Sequence, residues 1–414
     1  MPVTTKQITE NQATRGNAGM LPQLYLQGGA NYSISDTKLK FANFGNTGDI
    51  DSTGSPTAGS DRPTSFSGAE TQTYNASINA DYVIFDGFRA SRTYDRLVVN
   101  ADLSNVQTRQ AVENTLLTVS TAYYNLARIQ DAYLLSLQNI RISRERYDRA
   151  EGRNEFGVAN RLDVLNAEVD LSTDSVNLVN TRQNLSNAKR DFNALLGRDP
   201  DIAFEVDIAV GEFRDISLET LLAGAQSQNV AIIVANYNRR LAQLDVEIAE
   251  AARYPRVALN TAYQFNRSDN EVGLLLVNQT RGFSGGVNVR YDIFNGGQRS
   301  TQIENARINV ETSRVRYEEA LLQTERDIRN VFNTWQNSRY IAQIQERNLN
   351  AAEVNFERTQ TQFNYGQVTT TQFREAQVNL LQARNRLSSA RYDAKIAEME
   401  LMQLSGQLIN VPED

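Results

Sequence analysis

The stretch Tyr82-Val83-Ile84-Phe85-Asp86-Gly87 returns as Tyr291-Asp292-Ile293-Phe294-Asn295-Gly296, so the chain is one unit written twice. The offset is 291 − 82 = 209 residues, and it also carries Phe156-Gly157 onto Tyr365-Gly366. It moves Ala167, Val169 and Leu171 onto Ala376, Val378 and Leu380, and Leu195 and Gly197 onto Leu404 and Gly406. An offset held without a gap from Tyr82 to Gly197 marks a structural half, not a solenoid unit. It predicts two halves related by pseudo-symmetry.

Four segments beside these hexapeptides alternate with period two. Leu24, Leu26, Ala30 and Tyr32 oppose Tyr25, Gln27, Asn31 and Ser33; Tyr74, Ala76, Ile78, Ala80, Tyr82 and Ile84 oppose Asn75, Ser77, Asn79 and Asp81. Val257, Leu259, Thr261, Tyr263 and Phe265 oppose Ala258, Asn260, Gln264 and Asn266. Phe283, Val287, Val289, Tyr291 and Ile293 oppose Ser284, Asn288, Arg290 and Asp292. Each run is roughly 10–12 residues, apolar outside and polar inside, the pattern of strands that cross a bilayer. An amphipathic sheet in a soluble protein shows the same alternation. Residues 34–72 and 267–282 read as the loops between the paired strands. Pro22 and Pro255 open the two hairpins 233 residues apart, which makes the first loop 233 − 209 = 24 residues longer.

Most of the rest is helical. From Val112, the positions Leu116, Val119, Tyr123, Leu126, Gln130, Tyr133, Leu137 and Ile140 keep 4-3 spacing. So do Leu380, Ala383, Leu387, Ala390, Ala394, Ala397, Leu401 and Leu404. Both are seams for left-handed coiled coils. Only Gly152 interrupts 89–155, and 297–363 is similarly clear, so two very long helices are expected. Tight turns follow at Phe156–Asn160 and Tyr365–Thr369, and Ser217 reads as a helix N-cap.

Composition removes several classes of function. The 414 residues include no Cys and no His, which excludes disulfides, Cys/His metal centres and Ser/His or Cys/His catalysis. Net charge is -7 with no long Lys/Arg run, which argues against nucleic acid. There is no P-loop and no Rossmann glycine fingerprint. No metal or cofactor site is expected. No segment is apolar enough for a transmembrane helix, and Met1-Pro2-Val3-Thr4-Thr5 reads as a trimmed start. Four strands cannot close a barrel, because known single-chain membrane barrels have at least about eight. If the strands enter a membrane, several chains share one barrel.

With Leu21-Pro22-Gln23-Leu24, the paired Ile-Phe-[Asp/Asn]-Gly exits, Tyr123-Tyr124-Asn125-Leu126 and two Gly-bearing helical turns, the chain resembles the TolC-like outer membrane efflux proteins. The resemblance runs from about residue 6 to residue 407. It departs from the family at its start, where residues before Leu21 supply only the last turns of the first helix. It implies a mainly α fold with β: a duplicated strand-strand-long helix-helix unit, with an outer-membrane β-barrel shared between chains and a periplasmic α-helical barrel. The expected boundaries are a remnant helix at 1–20, a first β-hairpin at 21–86 and a first helical hairpin at 87–198. An equatorial segment at 199–253, a second β-hairpin at 254–295, a second helical hairpin at 296–407 and a tail at 408–414 follow.

The implied function is a homotrimeric passive exit duct in the outer membrane lipid, serving a tripartite efflux or type I secretion system. An inner-membrane transporter would drive it through a periplasmic adaptor (membrane fusion) protein. Carried over by position, the adaptor contacts are Gly157, Val158, Ala159 and Asn160 with Gly366, Gln367, Val368 and Thr369. The periplasmic constriction falls on Gln372 and Glu375, where the family usually has two Asp, with Arg374 expected to pair across chains. Asn79, Asp81, Asn288, Arg290 and Asp292 are expected in the barrel lumen. Two other readings stand beside this one: a soluble coiled-coil scaffold or tether with a minor sheet, and a hydrolase using Asp81 and Asp292 as a carboxylate pair.

Overall fold

A computed structural model of the protein describes residues 2–39, 64–158, 160–272 and 275–410. After a short helix α1 (Pro2–Gln12), strands β1 (Gln23–Leu39) and β2 (Thr64–Phe85) form a hairpin. Helices α2 (Arg89–Glu155) and α3 (Arg161–Leu195) follow, then α4 (Leu218–Gln228) and α5 (Val230–Glu250). The second half repeats the plan with β3 (Arg256–Asn270), β4 (Val277–Arg290), α6 (Gln298–Asn364) and α7 (Thr370–Leu404). The helices repeat without slippage: α2 and α6 each have 67 residues, α3 and α7 each have 35, and every boundary moves by 209.

The chain divides into two units. One holds Gln7–Ala101 and Arg240–Glu311, and its centre is a single antiparallel sheet in the order β1-β2-β3-β4. Register puts like faces together: Leu26 lies opposite Ile78, Ile78 opposite Tyr263, and Tyr263 opposite Phe283. These side chains stay exposed in the single chain, as do Leu24, Val287 and Val289. On the other face Gln23, Asp81, Asn260 and Gly286 align in one row. The alternation expected for each strand is therefore continuous across the sheet.

The strand lengths differ from the sequence reading. β1 and β2 have 17 and 22 residues, and their pairing runs into the stretch assigned to a loop, with Ile34 opposite Glu70 and Lys38 opposite Ser65. A bulge between Ser35 and Thr37 is pinned by Asp36, whose carboxylate accepts from the Gly68 N–H at 2.8 Å and the Ser67 hydroxyl at 2.9 Å. Hydrophilic composition does not end a strand when its Thr and Ser residues can still satisfy a ladder. Residues 40–63 of that loop lie outside the described residues. The fourth strand, by contrast, stops early. Arg290 pairs with Arg256, the first residue of β3, and Pro255 before it has no N–H to extend the ladder. Tyr291, Asp292 and Ile293 therefore lie past the strand.

The repeated hexapeptides are strand exits. Gly87 has φ 73° and Gly296 φ 65°, both left-handed. At Gly87 a Cβ would also meet the Ala251 carbonyl oxygen at 2.5 Å, so the exit is closed by packing as well as by conformation. Phe88 shares the left-handed region with φ 68°, and its ring sits edge-on to Phe85 at 5.5 Å.

The second unit holds Met1–Lys6, Asp102–Arg239 and Thr312–Asp414. Its α7 seam is as the spacing predicts, with Leu380, Ala383, Leu387, Ala390, Ala394, Ala397 and Leu401 all buried. The Tyr123–Leu126 motif lies in a core that joins α2 to Leu185 and Phe192 of α3, Val206 beyond it and Tyr392 of α7. A separate core packs Leu221 and Ala225 of α4 on Ile328, Phe332 and Trp335 of α6 and on Ala397 and Leu401 of α7. The seam read along α2 is true only near Leu126. Leu116 and Leu137 are exposed, and toward the end of α2 the buried positions are Asn139, Ser143, Arg146 and Ala150.

Candidate site at the helical tips

Both helical turns are built alike. α2 ends with the Val158 N–H donating to the Arg153 carbonyl at 2.8 Å, and α6 ends with the Gln367 N–H donating to the Gln362 carbonyl at 2.9 Å. Each is a six-residue closure that needs a left-handed residue, supplied by Gly157 (φ 72°) and Gly366 (φ 73°). Asn160 then caps α3 by accepting from the Leu162 N–H at 3.3 Å. Thr369 caps α7 through a reciprocal pair: its hydroxyl accepts from the Gln372 N–H at 3.2 Å and its own N–H donates to Gln372 Oε1 at 3.0 Å. Gln372, one of the two constriction positions, thus spends its amide on a helix cap.

The tip residues are not equally available. Val158 is 66% exposed, and Phe156 and Tyr365 are 84% and 78% exposed. Val368 is half-buried and packs against the cluster that includes Phe363 and Phe373. Phe363 and Phe373 stack there at 4.7 Å. Of the two valines carried over from the family, only Val158 is free to meet a partner. Gln367 and Thr369 are exposed as well, and Ala159 lies outside the described residues.

Arg374 does not reach outward from the tip. It turns into its own chain and grips Asp174 of α3 with two hydrogen bonds, at 2.6 and 2.9 Å, with Asp170 at 3.6 Å. Burial opposes its charge, but the hydrogen bonds and charge of Asp174 outweigh it and hold the guanidinium pKa above its usual value. Arg146 of α2, 1% exposed, donates to Asp170 at 2.6 Å. Burial lowers its pKa, opposed by Asp170 and aided by the nearby charge of Arg374. The Ser143 hydroxyl donates to Asp174 at 2.5 Å and accepts from Gln377 Nε2 at 2.8 Å, and Gln377 also donates to Asn139 Oδ1 at 2.8 Å. Seven polar side chains from α2, α3 and α7 form one clamp. The expected pairing of Arg374 across chains is corrected accordingly: a bidentate partner already stands within the chain. Glu375, next to it, is exposed.

The clamp exists once although the fold exists twice. Moving each member by 209 residues sets Leu165 against Arg374 and Ala383 against Asp174. Leu165 is exposed and Ala383 buried, so the other half has no counterpart of the pair. The seam reading passed over these residues because it counted only apolar positions. The available signal was the 4-3-4 spacing of Asn139, Ser143, Arg146 and Ala150.

The proposed lumen residues share the sheet's polar face up to the strand end. Asn79 lies opposite Tyr25 and Ala262, and Asp81 opposite Gln23 and Asn260. Asn260 donates to Asp81 at 2.7 Å. Asn288 lies opposite Ala258 and Arg290 opposite Arg256. Asp292 sits beyond β4 and takes a hydrogen bond from Arg290 at 3.1 Å. Asp81 and Asp292 have separate partners, which is not the arrangement of a catalytic carboxylate pair. Among the described residues no cluster of three or more His, Cys, Asp or Glu could hold a metal ion.

Losing one partner of a buried ion pair costs about 3–5 kcal/mol, whereas an apolar replacement of both is often close to neutral. Asp174→Ala is expected to lower the unfolding free energy by about 3 kcal/mol. The double variant Asp174→Leu/Arg374→Met should recover most of that loss. Urea unfolding of the purified protein, followed by helical circular dichroism, measures both.

Residues 7–198 and 221–407 match the family described as outer membrane efflux protein. The chain is 23% identical over 324 residues to the outer membrane protein TolC of Vibrio cholerae, covering 76% of this chain and 72% of that one. It is 23% identical over 342 residues to the alkaline protease secretion protein AprF of Pseudomonas aeruginosa, covering 81% and 70%. The crystal structure of the outer membrane protein VceC from Vibrio cholerae superposes with a TM-score of 0.74 at 17% identity, over 98% of this chain and 92% of that one. That likeness is one of fold, and it extends over both strand hairpins and both helical hairpins. The family match sets aside a soluble scaffold with a minor sheet. The chain belongs to the outer membrane efflux protein family.

Proposed function

We propose that the chain acts as a homotrimeric outer membrane channel, the passive exit duct of a tripartite efflux or type I secretion system. The observation that carries this reading is the sheet. It has an exposed apolar face and two edges, β1 and β4, that no other strand among the described residues covers. In lipid each unpaired backbone group costs several kcal/mol, so neighbouring chains must supply the missing strands. An exposed stripe on α3 supports the same assembly: Leu162, Leu165, Val169, Val176 and Val179 follow the 3-4 spacing of a seam left uncovered by the described residues. The hairpins at 21–86 and 254–295 would build the barrel, with Asn79, Asp81, Asn288 and Arg290 on its inner wall and Asp292 at its mouth. The helices of 87–198 and 296–407 would extend into the periplasm.

Energy would come from an inner-membrane transporter acting through a periplasmic adaptor, because the sequence contains no nucleotide-binding motif. The adaptor would meet Gly157, Val158 and Asn160 on one turn and Gly366, Gln367 and Thr369 on the other. Val368 supports its turn from within. Three copies of Glu375 would ring the constriction, since Gln372 contributes no charge. Cargo is carried and not transformed.

In detergent the protein is expected to run at three times its 46.4 kDa chain mass and to form one conducting pore per particle. A folded monomer as the main species excludes the shared barrel. Val158→Asp should abolish export and leave the trimer intact. In single-channel recordings, Glu375→Ala should weaken block by divalent cations markedly, because close like charges concentrate them; an unchanged block curve removes the acidic ring.

A further inference from the structure

A recess of ≈ 550 Å³ opens where the polar face of the sheet meets the start of α2. Arg89, Arg256 and Arg290 line it, together with Asp86 and Asp292. Arg256 and Arg290 are directly opposite each other in the β3–β4 register. Like charges in that position repel, and a sheet gains nothing from them. Both carboxylates are already engaged. Asp292 takes the Arg290 hydrogen bond at 3.1 Å, and Asp86 accepts from the Ala90 N–H at 3.0 Å to cap α2. Neither the Arg89 nor the Arg256 guanidinium has a hydrogen bond or ion pair among the described residues. Arg89 is the first residue of α2, where the helix dipole adds partial positive charge.

We propose that this recess binds a phosphate-bearing solute, held by the guanidiniums of Arg89 and Arg256. A guanidinium presents two parallel N–H groups to an oxyanion, and two of them match a group with more than one negative charge. The bound anion would also relieve the repulsion between Arg256 and Arg290. The polar face carries this recess, while the apolar face opposite is the one suited to lipid, so the anion belongs to a solute. The site's place on the inner wall of a duct rests on the channel reading above; the binding itself does not.

Inorganic pyrophosphate, titrated calorimetrically into the full-length protein in a phosphate-free detergent, is the test. Wild type should bind, and Arg256→Gln should weaken binding at least tenfold. Arg316→Gln, an exposed control on α6, should leave it unchanged. Absence of binding, or equal binding by Arg256→Gln, overturns the proposal. A signal dependent on Arg256 with phosphatidylglycerol micelles but not with pyrophosphate overturns it as well, because the ligand is then a lipid. Single-channel current examines the duct separately. Pyrophosphate that binds and blocks supports both readings; pyrophosphate that binds without blocking supports the site and refutes its place on the inner wall.

Discussion

Backbone hydrogen bonding at the sheet edges governs the rest of the structure. Among the described residues, β1 and β4 each present a row of N–H and C=O groups with no strand beyond them. In water such edges can be solvated; against hydrocarbon they cannot. A closed ring of chains satisfies every row at once, and head-to-tail interfaces of this kind close into rings. The same demand explains why the apolar face stays in register over four strands. A slip of one residue would turn Leu26, Ile78, Tyr263 and Phe283 to the wrong side together.

Duplication supplies the frame and departures from it supply the particulars. Helix lengths, helix C-terminal closures and the left-handed glycine pairs 87/296, 157/366 and 197/406 repeat faithfully, because they are local solutions to local demands. Packing against different neighbours does not repeat. The second tip is filled by Phe356, Phe363 and Phe373, while the first has Tyr147, Ala150, Val164 and Ala167 in the corresponding role. The polar clamp joins α7 to α2 and α3 with no counterpart in the other half. Its fully buried Arg146 leaves Nε and Nη1 without partners, a cost that an apolar core would avoid. A contact of that kind favours one arrangement of helices over others more than it adds stability.

Much of this was legible in the residues. Period-two alternation identified all four strands and assigned their faces, because burial on one side forces alternate residues to differ. The α7 seam was readable since Ala and Leu are unambiguous at helical spacing. Strand ends were not, because Ser- and Thr-rich pairing beyond the apolar zone looks like loop, and because Pro255 acts on β4 from a neighbouring strand. The clamp was invisible to a count of apolar positions. Arg374 reads as a surface charge until Asp174, two hundred residues earlier, is placed beside it. Val158 and Val368 look alike as tip valines, but the offset sets Val158 against Gln367 and Val368 against Ala159, and Val368 packs on the phenylalanine cluster of its tip.

The matched helix lengths have a consequence for how such a chain tolerates change in length. Removing one residue from the middle of α2 would turn everything beyond it by about 100° and draw it back by about 1.5 Å. The Asn139–Ser143–Arg146 stripe would then face away from Asp170 and Asp174, while α6, still 67 residues long, would carry its own tip one step further than its twin. Deletions and insertions inside the helices are therefore tolerable only in compensating sets. The first hairpin lies outside these helices, and it is there that the two halves differ by 24 residues.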